Sequence, residues 1–242
     1  YKRQRNQSKS SQLATKLDNL YVCKTPRDVS EGADVTILML TDAEAVEEVV
    51  FGAEGNSEGL ANNLRPGSLL IDMGTTSVLK TRAFATKLEM SGSEWVDAPV
   101  SGGTTAAESG TLTIMVGGSD QAFQQALPWL QILGERITHV GDTGAGQIAK
   151  SANQMIVGLT IAAVAEAFTL ANANGVEPEK IREALFGGFA HSRILELHGE
   201  RMIKNDFQAR AKCSIQRKDV KEAIELASCL LYTSDAADDL RC

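Results

Sequence analysis

The chain has 242 residues, 43% hydrophobic and 23% charged, a balance that excludes a disordered polymer and suits one or two buried cores. Its formal net charge of −7, with no Lys/Arg stripe interleaved with aromatics, argues against a nucleic-acid partner. Cys23, Cys213, Cys229 and Cys242 stand singly, which fits neither paired zinc ligands nor a secreted disulfide scaffold. They read as reduced thiols, and the cytoplasm is the expected compartment. An organelle stays open, because Tyr1 is not an initiator Met.

The chain opens on a basic stretch, with Lys2, Arg3, Arg5, Lys9, Lys16, Lys24 and Arg27 against Asp18 alone. It reads either as a solvated helix face or as an anion site. From Asp34 to Val140 strand-like and helical runs alternate. ADVTILML (33–40) is rich in β-branched residues, DAEAVEEVVFG (42–52) has helical spacing, and GSLLIDM (67–73) is strand-like again. A helix near 77–91, strands at 94–98 and 110–118, a helix at 119–133 and a strand at 135–141 follow. Such alternation needs crossover connections, so the expected fold is α/β, a doubly wound, mostly parallel Rossmann-type sheet covered on both faces.

Beyond Gly141 the strands stop. Residues 144–175 run without proline to Asn174-Gly175, which predicts one long helix closed by a glycine. Apolar residues on most of its faces predict packing on several sides. Its most apolar run, MIVGLTIAAVAEAFTLA (155–171), is short for a membrane span and carries Glu166, so a buried core helix is expected and no membrane partner. Helical segments at 178–188 and 218–228 complete an all-α domain, while residues 187–215 show no clear pattern.

Chemistry is suggested at four places. In DAPVSGGTTAAESGTLTIMVGG (97–118), Gly102, Gly103, Gly110, Gly117 and Gly118 let backbone approach a ligand, and Ser101, Thr104 and Thr105 offer hydroxyls. This suits a small carboxylate; the plain alternative is a glycine turn between strands. Residues 144–149 have the dinucleotide spacing G-x-G-x-x-A, but the helix continues where a second strand with a ribose-binding residue should follow, so the motif reads as a decoy. If the true fingerprint lies before Tyr1, then Arg3 stands where a 2′-phosphate would sit, which favours NADP. Lys150 and Asn153 are three apart on the long helix and share a face. A lysine near a helix N-terminus and partly buried can protonate an alkoxide as hydride arrives, whereas an exposed one is simply solvated. His139, His191 and His198 lack metal-ligand spacing and no G-x-S-x-G occurs, so neither a metal nor a hydrolase serine is expected.

Taken together, DAPVSGG, GTLTIMVGG, GAGQIAKSANQ and Lys218-Asp219 resemble the β-hydroxyacid dehydrogenase family, the 3-hydroxyisobutyrate dehydrogenase-like enzymes, over residues 1–227. The resemblance implies a nicotinamide-dependent oxidoreductase acting on a small carboxylate-bearing aldehyde or 2-oxo acid. It implies Lys150 as catalytic acid/base, and Ser101, Gly102, Gly103 and Asn153 as substrate holders. Leu40, Thr41, Thr75, Lys218 and Asp219 would line the cofactor side with Arg3; Thr41 replaces a proline frequent in the family. NADP, with NAD as the alternative, and a homodimer or homotetramer are implied as well. A non-catalytic dehydrogenase-like scaffold, or an inactive fragment, is the rival expectation.

Family members begin with a strand and a G-x-G-x-M-G loop, whereas Tyr1 here matches the end of their second strand. The expected organisation is therefore an N-terminally truncated dinucleotide-binding domain over 1–141 and a C-terminally truncated all-α domain over 142–228. CLLYTSDAADDLRC (229–242) resembles translated sequencing-adaptor DNA more than the family's last helices and is expected to be a non-native tail.

Overall fold

The computed structural model describes residues 7–52, 58–208 and 212–229. Arg3 and residues 230–242 of the expected tail lie outside the described residues. The chain divides into two compact units between Lys150 and Ser151. That division falls inside a long helix, after the change of sequence pattern at Gly141.

The first unit runs α1 (Gln7–Ala14), α2 (Pro26–Ser30), β1 (Val35–Leu38), α3 (Ala43–Phe51), a 3-10 turn (Leu60–Asn62), β2 (Leu69–Asp72), α4 (Val78–Glu89), β3 (Glu94–Asp97), β4 (Val100–Ser101), α5 (Gly103–Ser109), β5 (Leu112–Gly117), α6 (Asp120–Leu133) and β6 (Gly134–Gly141). It ends in the first turns of α7 (Ala145–Ala173). Side-chain caps start several of these helices. Asp42 accepts from the Ala45 amide at 2.8 Å to open α3, and Ser119 accepts from the Ala122 amide at 3.0 Å to open α6.

The sheet is built from β1, β2 and β3 in parallel, with Leu38, Asp72 and Asp97 in register at their ends. β5 joins antiparallel through Asp97 and Gly117, β4 pairs antiparallel with β5, and β6 lies parallel to β5. The antiparallel join has a local cause. β4 carries on from β3, and only the short α5 turns the chain back, whereas a parallel return needs a full crossover. The expected glycine loop between two strands thus contains a helix, bracketed by Gly102 at φ +131° and Gly110 at φ +68°.

Both faces of the sheet are covered. Leu69 and Ile71 point to one side with Val96, Ile114 and Val116, where Ala122, Ala126 and Leu130 of α6 cover them. Leu70 points to the other with Leu38 and Trp95, under Val46 and Val50 of α3 and Phe84 and Leu88 of α4. This period of two, with every residue of β2 buried, is what a central strand of a doubly covered sheet requires.

The second unit contains the rest of α7, α8 (Pro178–Leu185), α9 (Arg193–Ile203) and α10 (Cys213–Cys229). Val164, Phe168 and Leu195 form its core, flanked by Ile181, Leu185, Ile194, Met202 and Ile203. The expectation that α7 is packed on several sides is not met among the described residues. One face is buried, through Val164, Phe168 and Ala171, while Ile156 (66%), Leu159 (70%) and Leu170 (68%) are exposed, because α8 and α9 cover a single side. By length and composition alone α7 is also apolar enough to cross a membrane. The unread stretch 187–215 holds α9, capped by Ser192 at 3.0 Å from the Leu195 amide and tied to α8 by Arg182, whose guanidinium donates to the carbonyls of Leu195 and Glu196. Replacing Ser192 with alanine should cost about 1 kcal/mol of unit stability, read by urea unfolding.

Candidate active site

Because Leu38, Asp72 and Asp97 end their strands in register, residues 39–41 and 73–77 leave the sheet side by side, while 98–99 lead on from β3 into β4. Two fully buried aspartates hold these exits. Asp72 accepts from the Gly74 amide at 3.0 Å through Oδ1 and from the Thr76 hydroxyl at 2.8 Å through Oδ2. Asp97 accepts from the Gly144 amide at 2.7 Å through Oδ1 and from the Gln147 amide at 2.9 Å through Oδ2. Burial pushes the Asp97 carboxyl above its ordinary range, and the backbone donors at Gly144 and Gln147 pull against it.

Asp97 thereby caps α7, whose first amides would otherwise lack partners. The helix can come this close because Gly146 carries no side chain. A Cβ there would stand 2.5 Å from the Met115 carbonyl oxygen and 2.6 Å from that of Asp97. The G-x-G spacing at 144–146 therefore serves helix-on-strand contact, and amides that a phosphate would need are bound by a carboxylate of the protein itself. Gln147, 1% exposed, ties the helix to the next strand exit. Its Oε1 accepts from the Thr76 amide at 3.1 Å and its Nε2 donates to the Gly74 carbonyl at 2.9 Å.

Lys150, one turn beyond Gln147, is 8% exposed, which removes the solvated-surface alternative. Thr75 is half-buried between the clamped Gly74 and Thr76. Leu40 is half-buried, packs against the α3/α4 core, and sets its carbonyl oxygen 2.6 Å from where a Cβ on Gly74 would lie, so the loops bearing Leu40 and Thr75 abut. Thr41 is exposed, and its hydroxyl donates to Asp42 at 2.8 Å. Ser101 pairs with Thr113 at the end of β4, and Gly102 and Gly103 are exposed beyond it. A Cβ on Gly102 would meet that of Ala106 at 2.5 Å, whereas Gly103, at φ +68°, has open space there.

Three further residues singled out in the sequence lie in the second unit, in one polar network between α7 and α10. Asn153 donates to the Gln154 side-chain oxygen at 2.9 Å, and Gln154 donates to Asp219 at 2.5 Å. Lys218 lies 3.0 Å from Asp219 and 3.2 Å from Glu222, so its charge is shared by two carboxylates. Burial pushes Glu222 up, against the pull of Lys218. Asp72, Asp97, Gln147, Gln154 and Glu222 are not found by reading the sequence. The available signal was an acid closing both LLID and EWVD.

Among the described residues no cluster of three His, Cys, Asp or Glu side chains is placed to hold a metal. The strand exits do fit a nicotinamide cofactor. Open α/β sheets bind ligands at the carboxyl ends of their strands, and here Met39 is 60% exposed and Thr75 half-buried, while the buried Gly74 lets the two loops that carry them abut.

Two family models match the chain. The NAD binding domain of 6-phosphogluconate dehydrogenase matches residues 2–141, and the NAD-binding domain of NADP-dependent 3-hydroxyisobutyrate dehydrogenase matches residues 144–233. The chain is similar to 2-hydroxy-3-oxopropionate reductase of Escherichia coli, 44% identical over 207 residues that make up 86% of this chain and 70% of that protein. It is 36% identical to 2-(hydroxymethyl)glutarate dehydrogenase of Eubacterium barkeri over 84% of this chain and 66% of that protein. Among solved structures, 3-hydroxyisobutyrate dehydrogenase of Mycobacterium tuberculosis with L-serine superposes at a TM-score of 0.85 and 28% identity, covering 96% of this chain and 79% of that one.

Proposed function

The chain belongs to the β-hydroxyacid dehydrogenases, NAD(P)-dependent oxidoreductases of small hydroxy and oxo acids, and from this we propose that it reduces a small aldehyde or 2-oxo acid bearing a carboxylate. The observation that carries the reading is the burial of Lys150 on a helix whose first turn is fixed to the strand exits. Similarity to the Escherichia coli reductase supports 2-hydroxy-3-oxopropionate as substrate, with glyoxylate and succinic semialdehyde as relatives of the same chemistry.

A nicotinamide cofactor, when bound, would supply the hydride. Lys150 gives a proton from Nζ to the oxygen of the carbonyl as it becomes an alkoxide, and the general acid removes the need for water to do so. Ser101, Gly102 and Gly103 hold the substrate carboxylate through a hydroxyl and backbone amides, which an exposed glycine turn leaves accessible. Asn153, three residues after Lys150 on α7, orients the substrate, held in turn by Gln154. Leu40, Thr41 and Thr75 line the cofactor, and Lys218 and Asp219 are assigned to cofactor binding as well. Arg3 favours NADP over NAD. A cytoplasmic homodimer or homotetramer completes the reading.

The test is oxidation of NADPH and NADH with 2-hydroxy-3-oxopropionate, glyoxylate and succinic semialdehyde. Turnover on these and not on uncharged aldehydes of equal length is expected; equal rates on both classes would remove the carboxylate site. Thr41→Val should change NADPH affinity less than about threefold, since the lost hydroxyl bond is an exposed one worth about 1 kcal/mol to the α3 cap. Fluorescence titration checks this.

A further inference from the structure

Gln147 belongs to none of the roles assigned above, yet its buried side-chain amide and its backbone amide are all bonded. It is 1% exposed, and both ends of its side chain are bonded to backbone. Oε1 takes the Thr76 amide and Nε2 gives to the Gly74 carbonyl, so the side chain pairs with alternate residues of the loop as an extra strand would. The Gln147 backbone amide is itself fixed to Asp97. From the other side Asp72 holds Gly74 and Thr76. Thr75 is thus flanked by two residues clamped twice, and Lys150 follows Gln147 by three residues on the same helix face.

We propose that Gln147 is a positioning residue that locks the Thr75 loop, on the cofactor side, to the helix turn carrying Lys150, so that proton donor and hydride donor keep one separation. The proposal rests on the reading of Lys150 as the acid. Positioning acts steeply on rate, because a small misplacement of reacting groups costs far more in turnover than in binding. Asp72 still holds the loop when the glutamine is lost, so cofactor affinity should survive.

Gln147→Met keeps the length and removes both bonds. Expected are a fall in kcat of about 10- to 100-fold at saturating substrate and cofactor, and a Kd for NADPH within about threefold by fluorescence. In the protein without cofactor, exchange of the Thr76 amide should quicken by about tenfold or more. Gln147→Glu is the isosteric check. Its carboxylate accepts from Thr76 but cannot donate to Gly74, whereas the protonated acid does both. Its kcat relative to the unsubstituted protein should therefore recover as pH falls from about 8 to about 6, since burial against a carbonyl raises a carboxyl pKa.

A kcat for Gln147→Met within about twofold of the parent, or a loss in Gln147→Glu that does not change with pH, overturns the proposal. If Gln147→Met fails to fold, Gln147→Glu decides by its pH profile. Retained turnover in Lys150→Ala would sink the reading of the site instead, and Thr76 exchange in Gln147→Met would still report whether the clamp exists.

Discussion

Lys150→Ala should lose about 10²- to 10⁴-fold in kcat while NADPH binding stays within about threefold, the range expected when a general acid is removed and the ligand contacts remain. The residue is 8% exposed, so the substitution also removes a buried aliphatic stem, and a control is needed. Lys150→Met supplies it, keeping most of the volume while losing the ammonium group with its charge and its proton. Both variants should lose turnover alike, and Lys150→Met should melt closer to the parent than Lys150→Ala does. Stopped-flow traces with substrate and NADPH read the loss directly. Wild-type rates in Lys150→Met would end the assignment, and loss in Lys150→Ala alone would mean that packing was responsible.

Asp97→Asn should destabilise the first unit by about 2 to 4 kcal/mol, although it changes neither size nor shape. Both carboxylate oxygens accept from backbone amides, at 2.7 Å from Gly144 and 2.9 Å from Gln147. An asparagine offers one acceptor and one amino group, so a donor must face a donor in a fully buried place. One amide of the α7 cap is then left without a partner. Asp97→Ala removes both partners and should cost at least as much. Gly146→Ala strikes the same junction from the helix side, since its Cβ would meet two backbone oxygens at 2.5 and 2.6 Å that cannot turn away. Urea unfolding followed by Trp95 fluorescence reads the losses, and a midpoint for Asp97→Asn equal to that of the parent would show that α7 is held by something else.

These two results touch the same few residues, and they differ in how far the sequence points to them. Lys150 is found from its motif and from its place near the start of a helix, because helix spacing is written in neighbouring residues. The alternation of LLID and EWVD likewise marks β2 and β3, since side chains of a strand pass from face to face at each step. Gly146 stands out within a G-x-G spacing that reads as a decoy for a dinucleotide loop, and the structure shows what the glycine serves instead: its missing Cβ makes room for the Met115 and Asp97 carbonyls. α5 is hidden because glycines at both of its ends look like a turn, and α9 because its stretch lacks a clear period.

Read alone, the residues give the alternation of strands and helices from Asp34 to Gly141 apart from β4 and α5, the long α7, the family motifs and Lys150 as the candidate acid. All of these rest on patterns that repeat within a few residues. Folding in three dimensions brings Asp97 to cap α7 across 47 positions and Gln147 to clamp Gly74 across 73. It also puts Lys218 between Asp219 and Glu222 and, among the described residues, buries one side of α7 instead of several. Hydrogen-bond partners so far apart leave no period along the chain; they are chosen when the sheet and the helix meet, because a buried carboxylate or amide must find whatever donors and acceptors packing brings within reach.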